Sequence, residues 1–216
     1  MTSDFQILLY TAASLGFIHT IFGPDHYLPF IMIGKARNWS LQRTLWLTFL
    51  CGIGHVLSSV VIGLIGIALG SELEKLVHIE GVRGNMAAWG LIAFGLVYAI
   101  WGVKFWYQKH DHSHNHNRLS GEKMVTPWVL FVIFVLGPCE VLIPVLMYPA
   151  ANESLGALVS VSAVFGTTTL LTMMGTVLVS IIGLRFISLK PIERFSHSIA
   201  GMVIFLSGMA IQVLGL

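Results

Sequence analysis

The feature that most limits the fold of this chain is a series of long apolar runs. A membrane helix needs about 20 consecutive apolar residues to cross roughly 30 Å of hydrocarbon. Only 10% of the 216 residues are charged, whereas an average soluble domain has roughly 25%. Runs of sufficient length lie at about 5–34, 45–69, 86–107, 125–150, 155–184 and 196–216. The sequence therefore predicts an all-α integral membrane protein with six transmembrane helices.

The distribution of basic residues predicts an orientation. Most of the Lys and Arg residues lie in the connections after the first, third and fifth runs, and such residues favour the cytoplasmic side. Lys75 and Arg83 lie among glutamates in an outer connection, which also holds Glu80. We therefore expect both termini outside and a place in the cytoplasmic (inner) membrane of a prokaryote. The partner is the lipid bilayer, and a net charge of +2 does not suggest nucleic acid.

Two Gly-Pro elements indicate an internal repeat. The run Gly23-Pro24-Asp25-His26 is echoed by Gly137-Pro138-Cys139-Glu140, and proline at each site interrupts the helix because it lacks an N–H donor. Three spans per copy would make the two copies inverted, with a site where the broken helices 1 and 4 meet. We predict a first three-helix repeat at 1–109, a His-rich cytoplasmic loop at 110–123 and a second repeat at 124–216. The first and fifth runs exceed one straight span, so each is expected to be tilted or broken.

The first break carries an unusual set of polar residues. An ionised Asp near the bilayer centre costs about 2.5 to 3.5 kcal/mol, so Asp25 is a functional candidate. An unbroken helix would hold His19 and His26 about 10.5 Å apart, whereas a break could bring them together, with His55 supplied by helix 2. Imidazole and carboxylate suit nickel, cobalt, zinc or iron(II). We predict His19, Asp25, His26 and His55 as metal ligands, with interhelical hydrogen bonding as the alternative.

Two further sets of residues are weaker candidates. Cys139, Glu140 and Thr169 are predicted to line a substrate path or gate, although a buried Cys is often only a small hydrophobic residue. A His-rich tract in the central loop is predicted to bind metal as an auxiliary site, with a solvated linker as the alternative. The candidate residues of this tract are His110, Asp111, His112, His114 and His116.

On these residues the sequence resembles the nickel/cobalt transporter superfamily and its urease-accessory-like membrane relatives. The similarity lies in the His-x5-Asp-His element of helix 1, Gly-Ile-Gly-His at 52–55, the His-rich loop and Gly-Pro-Cys-Glu in helix 4. It implies that His19, Asp25 and His26 bind a transported divalent ion, nickel or cobalt first and zinc or iron next. Efflux is favoured over uptake because of the His-rich loop. The protein would then be no enzyme and would need no catalytic cofactor.

Metal binding to these ligands would release protons, so protons are the expected coupling ion. A homo-oligomer or an accessory metallochaperone is a further expected partner. The alternative function is a membrane thiol-disulfide electron carrier of the cytochrome c maturation type. Its relatives share the three-plus-three plan and have Pro-Cys breaks in both halves, whereas here Asp25 stands in the first half and the other cysteine is Cys51. An exporter of small anions or amino acids ranks last, because we expect no basic residue in the core.

Overall fold

A computed structural model describes residues 3–70, 73–108, 119–137, 139, 141–151, 155–186 and 195–214. Within these ranges the chain forms helices joined by short turns, and no β-strand occurs there. The α-helices are α1 (Ser3–Phe22), α2 (Leu28–Ala36), α3 (Leu41–Ala68), α4 (Leu73–Gln108), α5 (Leu119–Leu136), α6 (Leu142–Ala151), α7 (Leu155–Arg185) and α8 (Ser196–Leu214). The predicted all-α class is confirmed for this part of the chain.

Five helices of the described ranges are long and apolar enough to cross a membrane. They are α1, α3, α7, the Leu73–Phe105 part of α4 and the Ser196–Val213 part of α8. The apolar stretch Thr126–Leu136 of α5 is shorter. The fifth run forms the single 31-residue helix α7 without a break. The protein is an integral membrane protein, and six spans arranged as an inverted repeat remain a prediction.

Large apolar side chains cover the outside of the helix bundle. Tyr10, Val97, Leu171 and Val179 each leave at least 66% of their surface exposed. A soluble monomer rarely exposes such side chains over a large area. On a protein with this many apolar helices, these side chains face lipid.

Two of the apolar clusters in the core of the bundle lie beside the helix breaks. Phe30 of α2 packs with Phe134 of α5 in the first cluster. Leu142 of α6 packs with Phe165 of α7 in the second. Helices α4 and α8 approach each other closely at a glycine, because a Cβ added at Gly95 of α4 would overlap the backbone of α8. Small residues permit this close approach between membrane helices.

Helix α4 begins at Leu73, well before residue 86, where the span was predicted to begin. Glu80 is fully buried and the Arg83 side chain is only 12% exposed. The prediction that they lie in an outer connection, and that no basic residue enters the core, was therefore wrong. The charges lowered the average hydropathy, although Leu76, Glu80, Arg83 and Ala87 recur at the spacing of one helical face. Leu76 and Ala87, at the two ends of this series, are also buried.

Candidate functional site

The first helix break places two imidazole rings against each other. After α1 the chain makes one 3₁₀ turn before α2 begins. Nδ1 of His26 lies 3.1 Å from the Gly23 carbonyl oxygen and 3.1 Å from Oδ1 of Asp25. The ring centroids of His19 and His26 are 4.7 Å apart, compared with about 10.5 Å between the same positions of an unbroken helix. The break therefore brings together the two histidines that the sequence analysis paired.

Helix α3 contributes a third imidazole, that of His55. Its ring centroid lies 5.0 Å from that of His26 and 6.4 Å from that of His19. One nitrogen from each ring can be chosen so that all three nitrogens lie within 4.8 Å of one another. We refer to His19, His26 and His55 as the imidazole cluster. Its size is compatible with one shared ligand or ion.

Hydrogen bonds to carbonyl oxygens assign the protons on two of these rings. Nδ1 of His55 lies 3.3 Å from the carbonyl oxygen of Phe134. Nδ1 of His26 lies 3.1 Å from the carbonyl oxygen of Gly23. A carbonyl oxygen can only accept, so Nδ1 carries the hydrogen in both neutral rings and Nε2 keeps its lone pair. Nε2 of His26 finds no hydrogen-bond partner among the described residues. The Nε2 atom of His26 is therefore free to take a proton or to bind a ligand, and the Nε2 atom of His55 has a lone pair that can accept a hydrogen bond.

Asp25 contacts one member of the imidazole cluster, His26. Its carboxylate pairs with Nδ1 of His26, and 25% of its side chain remains exposed. A carboxylate in this position holds the ring in one orientation and one tautomer. The geometry thus makes Asp25 an orienting partner of His26, and its direct binding of a metal ion remains a prediction.

The second helix break brings the thiol of Cys139 to the same cluster. Cys139 is fully buried between α5 and α6. Its Sγ lies 3.2 Å from Nε2 of His55 and 4.0 Å from Nε2 of His19. Because Nε2 of His55 keeps a lone pair, the thiol can donate its hydrogen to that atom. The structure therefore joins a residue of the predicted path or gate to the histidines.

Cys51 lies on α3, one helical turn before His55, in another part of the core. It packs in the first apolar cluster, whereas Cys139 packs in the second. Both residues are free thiols in the structure. The two described cysteines therefore do not form a bonded pair.

An ion pair from α4 supports the second break. Glu80 pairs with Arg83, one turn further along the helix. Oε2 of Glu80 accepts hydrogen bonds from the backbone N–H of Cys139 at 3.1 Å and from the Ser59 hydroxyl at 2.9 Å. Nη2 of Arg83 donates to the Val135 carbonyl oxygen at 2.7 Å. None of the residues predicted for the site was Glu80, Arg83 or Ser59. The signal that could have identified the first two is the helical spacing of α4.

A cavity of about 280 Å³ lies against the imidazole cluster. His19, Asp25, His26 and His55 are its polar lining, and the other lining residues are mostly apolar ones of α1, α4, α5 and α8. Cys139 is not among the described residues that line the cavity. A molecule in the cavity would therefore meet the imidazoles before the thiol.

Among the described residues, Thr169 is the predicted site residue that is not part of this arrangement. Thr169 is buried on α7 beside Gly16 of α1, where a Cβ added to Gly16 would lie 3.2 Å from the threonine Oγ1. It is absent from the described lining of the cavity. Glu140 and the His-rich tract lie outside the described residues. The tract residues concerned are His110, Asp111, His112, His114 and His116.

Residues 28–212 match the family described as Cytochrome C biogenesis protein transmembrane region. The matched part includes Cys51, His55, Glu80 and Cys139, and it begins after His26. The chain belongs to this family. No curated protein and no solved structure matches the chain.

Membership of this family corrects the resemblance to nickel/cobalt transporters, which was wrong. That resemblance depended on motifs of a few residues at 19–26, 52–55 and 137–140, together with a His-rich loop. Unrelated membrane families can share a plan of three plus three helices. Short motifs on such a plan therefore do not identify the family of a chain by themselves. The match to the cytochrome c biogenesis family extends over most of the chain. The expected transport of nickel, cobalt or another metal, with its efflux direction, is contradicted by the same finding.

Proposed function

We propose that this protein is a membrane thiol-disulfide carrier of cytochrome c biogenesis, with Cys139 as its reacting group. One observation carries the proposal: in a chain of this family, Sγ of Cys139 lies 3.2 Å from Nε2 of His55. A thiolate is the form of cysteine that attacks disulfides. A neighbouring imidazole with a free lone pair is a suitable acceptor for the thiol proton.

The proposed reaction transfers two electrons to a partner disulfide. Nε2 of His55 takes the proton of Cys139, and the thiolate attacks one sulfur of the partner, whose S–S bond breaks. The partner sulfur that leaves takes up a proton, and a mixed disulfide remains on Cys139. Cys51 then attacks the Cys139 sulfur, which releases the partner as a dithiol and leaves a Cys51–Cys139 disulfide. A second dithiol protein reduces this disulfide and completes the cycle.

The second half of this reaction requires a movement. Cys51 lies one turn, or about 6 Å along the axis, from His55 on α3, and it packs in a different cluster from Cys139. A disulfide needs Cα atoms within roughly 7 Å. The segment around Cys139 would therefore shift along α3 during the cycle.

The test is the redox state of the two cysteines in the purified full-length protein. The protein is equilibrated with mixtures of reduced and oxidised glutathione, and mass spectrometry then identifies the disulfides. We expect a Cys51–Cys139 disulfide in the wild type and a glutathione adduct on Cys139 in Cys51→Ser. Both should be absent in Cys139→Ser. If Cys139 stays reduced at every glutathione potential in the wild type and in Cys51→Ser, the proposal is wrong.

A second candidate function is the binding of a resident metal ion, without transport. The observation that favours it is the free Nε2 of His26 within the imidazole cluster, whose other two rings lie near the thiol of Cys139. Imidazole and thiolate together suit copper(I) or zinc better than magnesium or calcium. Elemental analysis of the protein purified without added metal tests this second function, and about one metal ion per chain would support it. If no ion is found in that sample, and none is bound after incubation with copper(I) or zinc, the second function is ruled out. A bound ion would also protect Cys139 from glutathione, which separates the two candidates.

We further propose that the two halves of the bundle are related as an inverted repeat. The supporting observation is that contacts occur in equivalent pairs. Helix α1 packs on α7 as α5 packs on α3, and α2 packs on α8 as α6 packs on α4. The contacts between α4 and α8 and between α3 and α7 join equivalent helices. This arrangement would leave both termini on the same outer side of a prokaryotic inner membrane.

A further inference from the structure

A buried ion pair on α4 has no part in the proposed reaction. Glu80 has no exposed surface, and the Arg83 side chain is only 12% exposed. Neither residue is among the described ones that line the cavity beside the imidazole cluster. Charged groups inside a membrane protein are costly to bury and usually have a specific partner. The structure shows that this partner is the broken backbone around Cys139.

The break leaves backbone groups of α5 without helical partners. Residue 138 is a proline, which has no N–H to donate. Nη2 of Arg83 donates to the Val135 carbonyl oxygen at 2.7 Å and to that of Gly137 at 3.4 Å. A positive charge at the C-terminal end of a helix is favourable, because the carbonyl dipoles point there. In a membrane such carbonyl groups need a partner from the protein.

The carboxylate serves the other side of the break. Oε2 of Glu80 and Oγ of Ser59 each lie 3.1 Å from the backbone nitrogen of Cys139, which donates to both. The Ser59 hydroxyl in turn donates to Glu80 at 2.9 Å. The backbone of Cys139 is thus held by two acceptors from two helices, while its side chain points to His55.

We infer that Glu80, Arg83 and Ser59 are positioning residues that hold the Cys139 thiol against His55. The ion pair bridges the two ends of the break, so the distance between thiol and imidazole depends on α4. The functional consequence rests on the proposed thiol chemistry, but the positioning itself does not. Removing the Glu80 carboxylate should release the backbone of Cys139 and expose its thiol to reagents.

The experiment compares the reactivity of two thiols in one molecule. Full-length wild type, Glu80→Ala and Glu80→Gln are treated with N-ethylmaleimide in detergent, and mass spectrometry follows alkylation at Cys139 and Cys51. We expect Glu80→Ala to speed alkylation of Cys139 about tenfold, because a charge-assisted hydrogen bond is lost. Cys51 should react at the wild-type rate.

Glu80→Gln should restore most of the protection, since its amide oxygen can still accept from the Cys139 N–H. The matched control is Glu74→Gln, an exposed carboxylate on the same helix.

Three results would overturn the inference. They are an unchanged rate at Cys139 in Glu80→Ala, an equal rise at Cys51 that reports general loosening, and no rescue by Glu80→Gln. If Glu80→Ala does not fold, Ser59→Ala takes its place, with a rise of roughly threefold expected at Cys139 and an unchanged rate contradicting the inference. Failure of the glutathione test with a normal result here would reject the thiol carrier and keep the positioning role.

Discussion

The two helix breaks have similar sequences but are supported in different ways. In the first, the residues of the break satisfy one another: Nδ1 of His26 faces the Gly23 carbonyl oxygen and the Asp25 carboxylate. In the second, the support comes from elsewhere in the chain, because Glu80 and Arg83 bind the backbone on either side of Pro138. A Gly-Pro element thus predicts an interruption of a helix, and the source of its stabilisation has to be found in the structure.

This difference bears on what each break can do. The position of His26 is set by its neighbours in sequence, so the imidazole is oriented locally. The position of Cys139 is set by α3 and α4, so a movement of either helix would move the thiol relative to His55. A reaction in which Cys139 turns from one partner to another needs such a movement, whereas an imidazole that accepts a proton does not.

The largest effect that tests the comparison is expected from Arg83→Leu. This change leaves Glu80 buried without its counter-charge and deprives the Val135 carbonyl oxygen of a donor. Breaking a buried pair in this way costs about 3 to 5 kcal/mol. Thermal unfolding in detergent, followed by a thiol-reactive dye or by size-exclusion chromatography, should show a large fall in Tm. Lys35→Leu, an exposed position at the end of α2, is the control.

If Tm falls no more in Arg83→Leu than in Lys35→Leu, residues of α4 do not stabilise the second break. The double variant Glu80→Gln/Arg83→Gln sharpens the result. It removes both charges together, so we expect its loss of stability to be smaller than the sum of the losses in Glu80→Gln and Arg83→Gln.

A smaller effect is expected from adding one methyl group at each break. A Cβ at Gly23 would overlap Nδ1 of His26, whereas a Cβ at Gly137 would lie 3.0 Å from Nδ1 of His55 and 3.2 Å from the Phe134 carbonyl oxygen. Overpacking of this kind costs about 1 to 3 kcal/mol. We expect Gly23→Ala to lower Tm more than Gly137→Ala does. Equal losses would show that the first break is no more tightly packed than the second.

The smallest effect is expected from Asp25→Asn. The carboxylate is partly exposed, and Nδ1 of His26 keeps the Gly23 carbonyl oxygen as its acceptor. Partly exposed ion pairs contribute about 0 to 1 kcal/mol, so Tm should fall by no more than a few degrees. A fall as large as that of Arg83→Leu would mean that the first break depends on its charge as much as the second does.

Much of the candidate site could be predicted from sequence because its residues are unusual for their surroundings. His19, Asp25, His26 and His55 are polar residues in apolar runs, and the structure brings the three histidines together. Glu80 and Arg83 were missed because they lie in the segment that precedes the most apolar part of their helix. Charged residues are common in such a flanking segment. The short motifs of both halves and the His-rich loop also suggested a family that the match over 28–212 contradicts.

The sequence by itself determined that this is a helical membrane protein and that its two Gly-Pro elements interrupt helices. Apolar runs of sufficient length cannot be placed elsewhere, and proline removes a backbone donor wherever it stands. Only the tertiary structure decided that Cys139 meets His55 and that Glu80 holds the Cys139 backbone. These contacts join residues far apart in the chain, and no local pattern reports which helices will be neighbours. Once the helices have packed, Glu80 and Arg83 of α4 and Ser59 of α3 hold the backbone that carries the thiol of the second break.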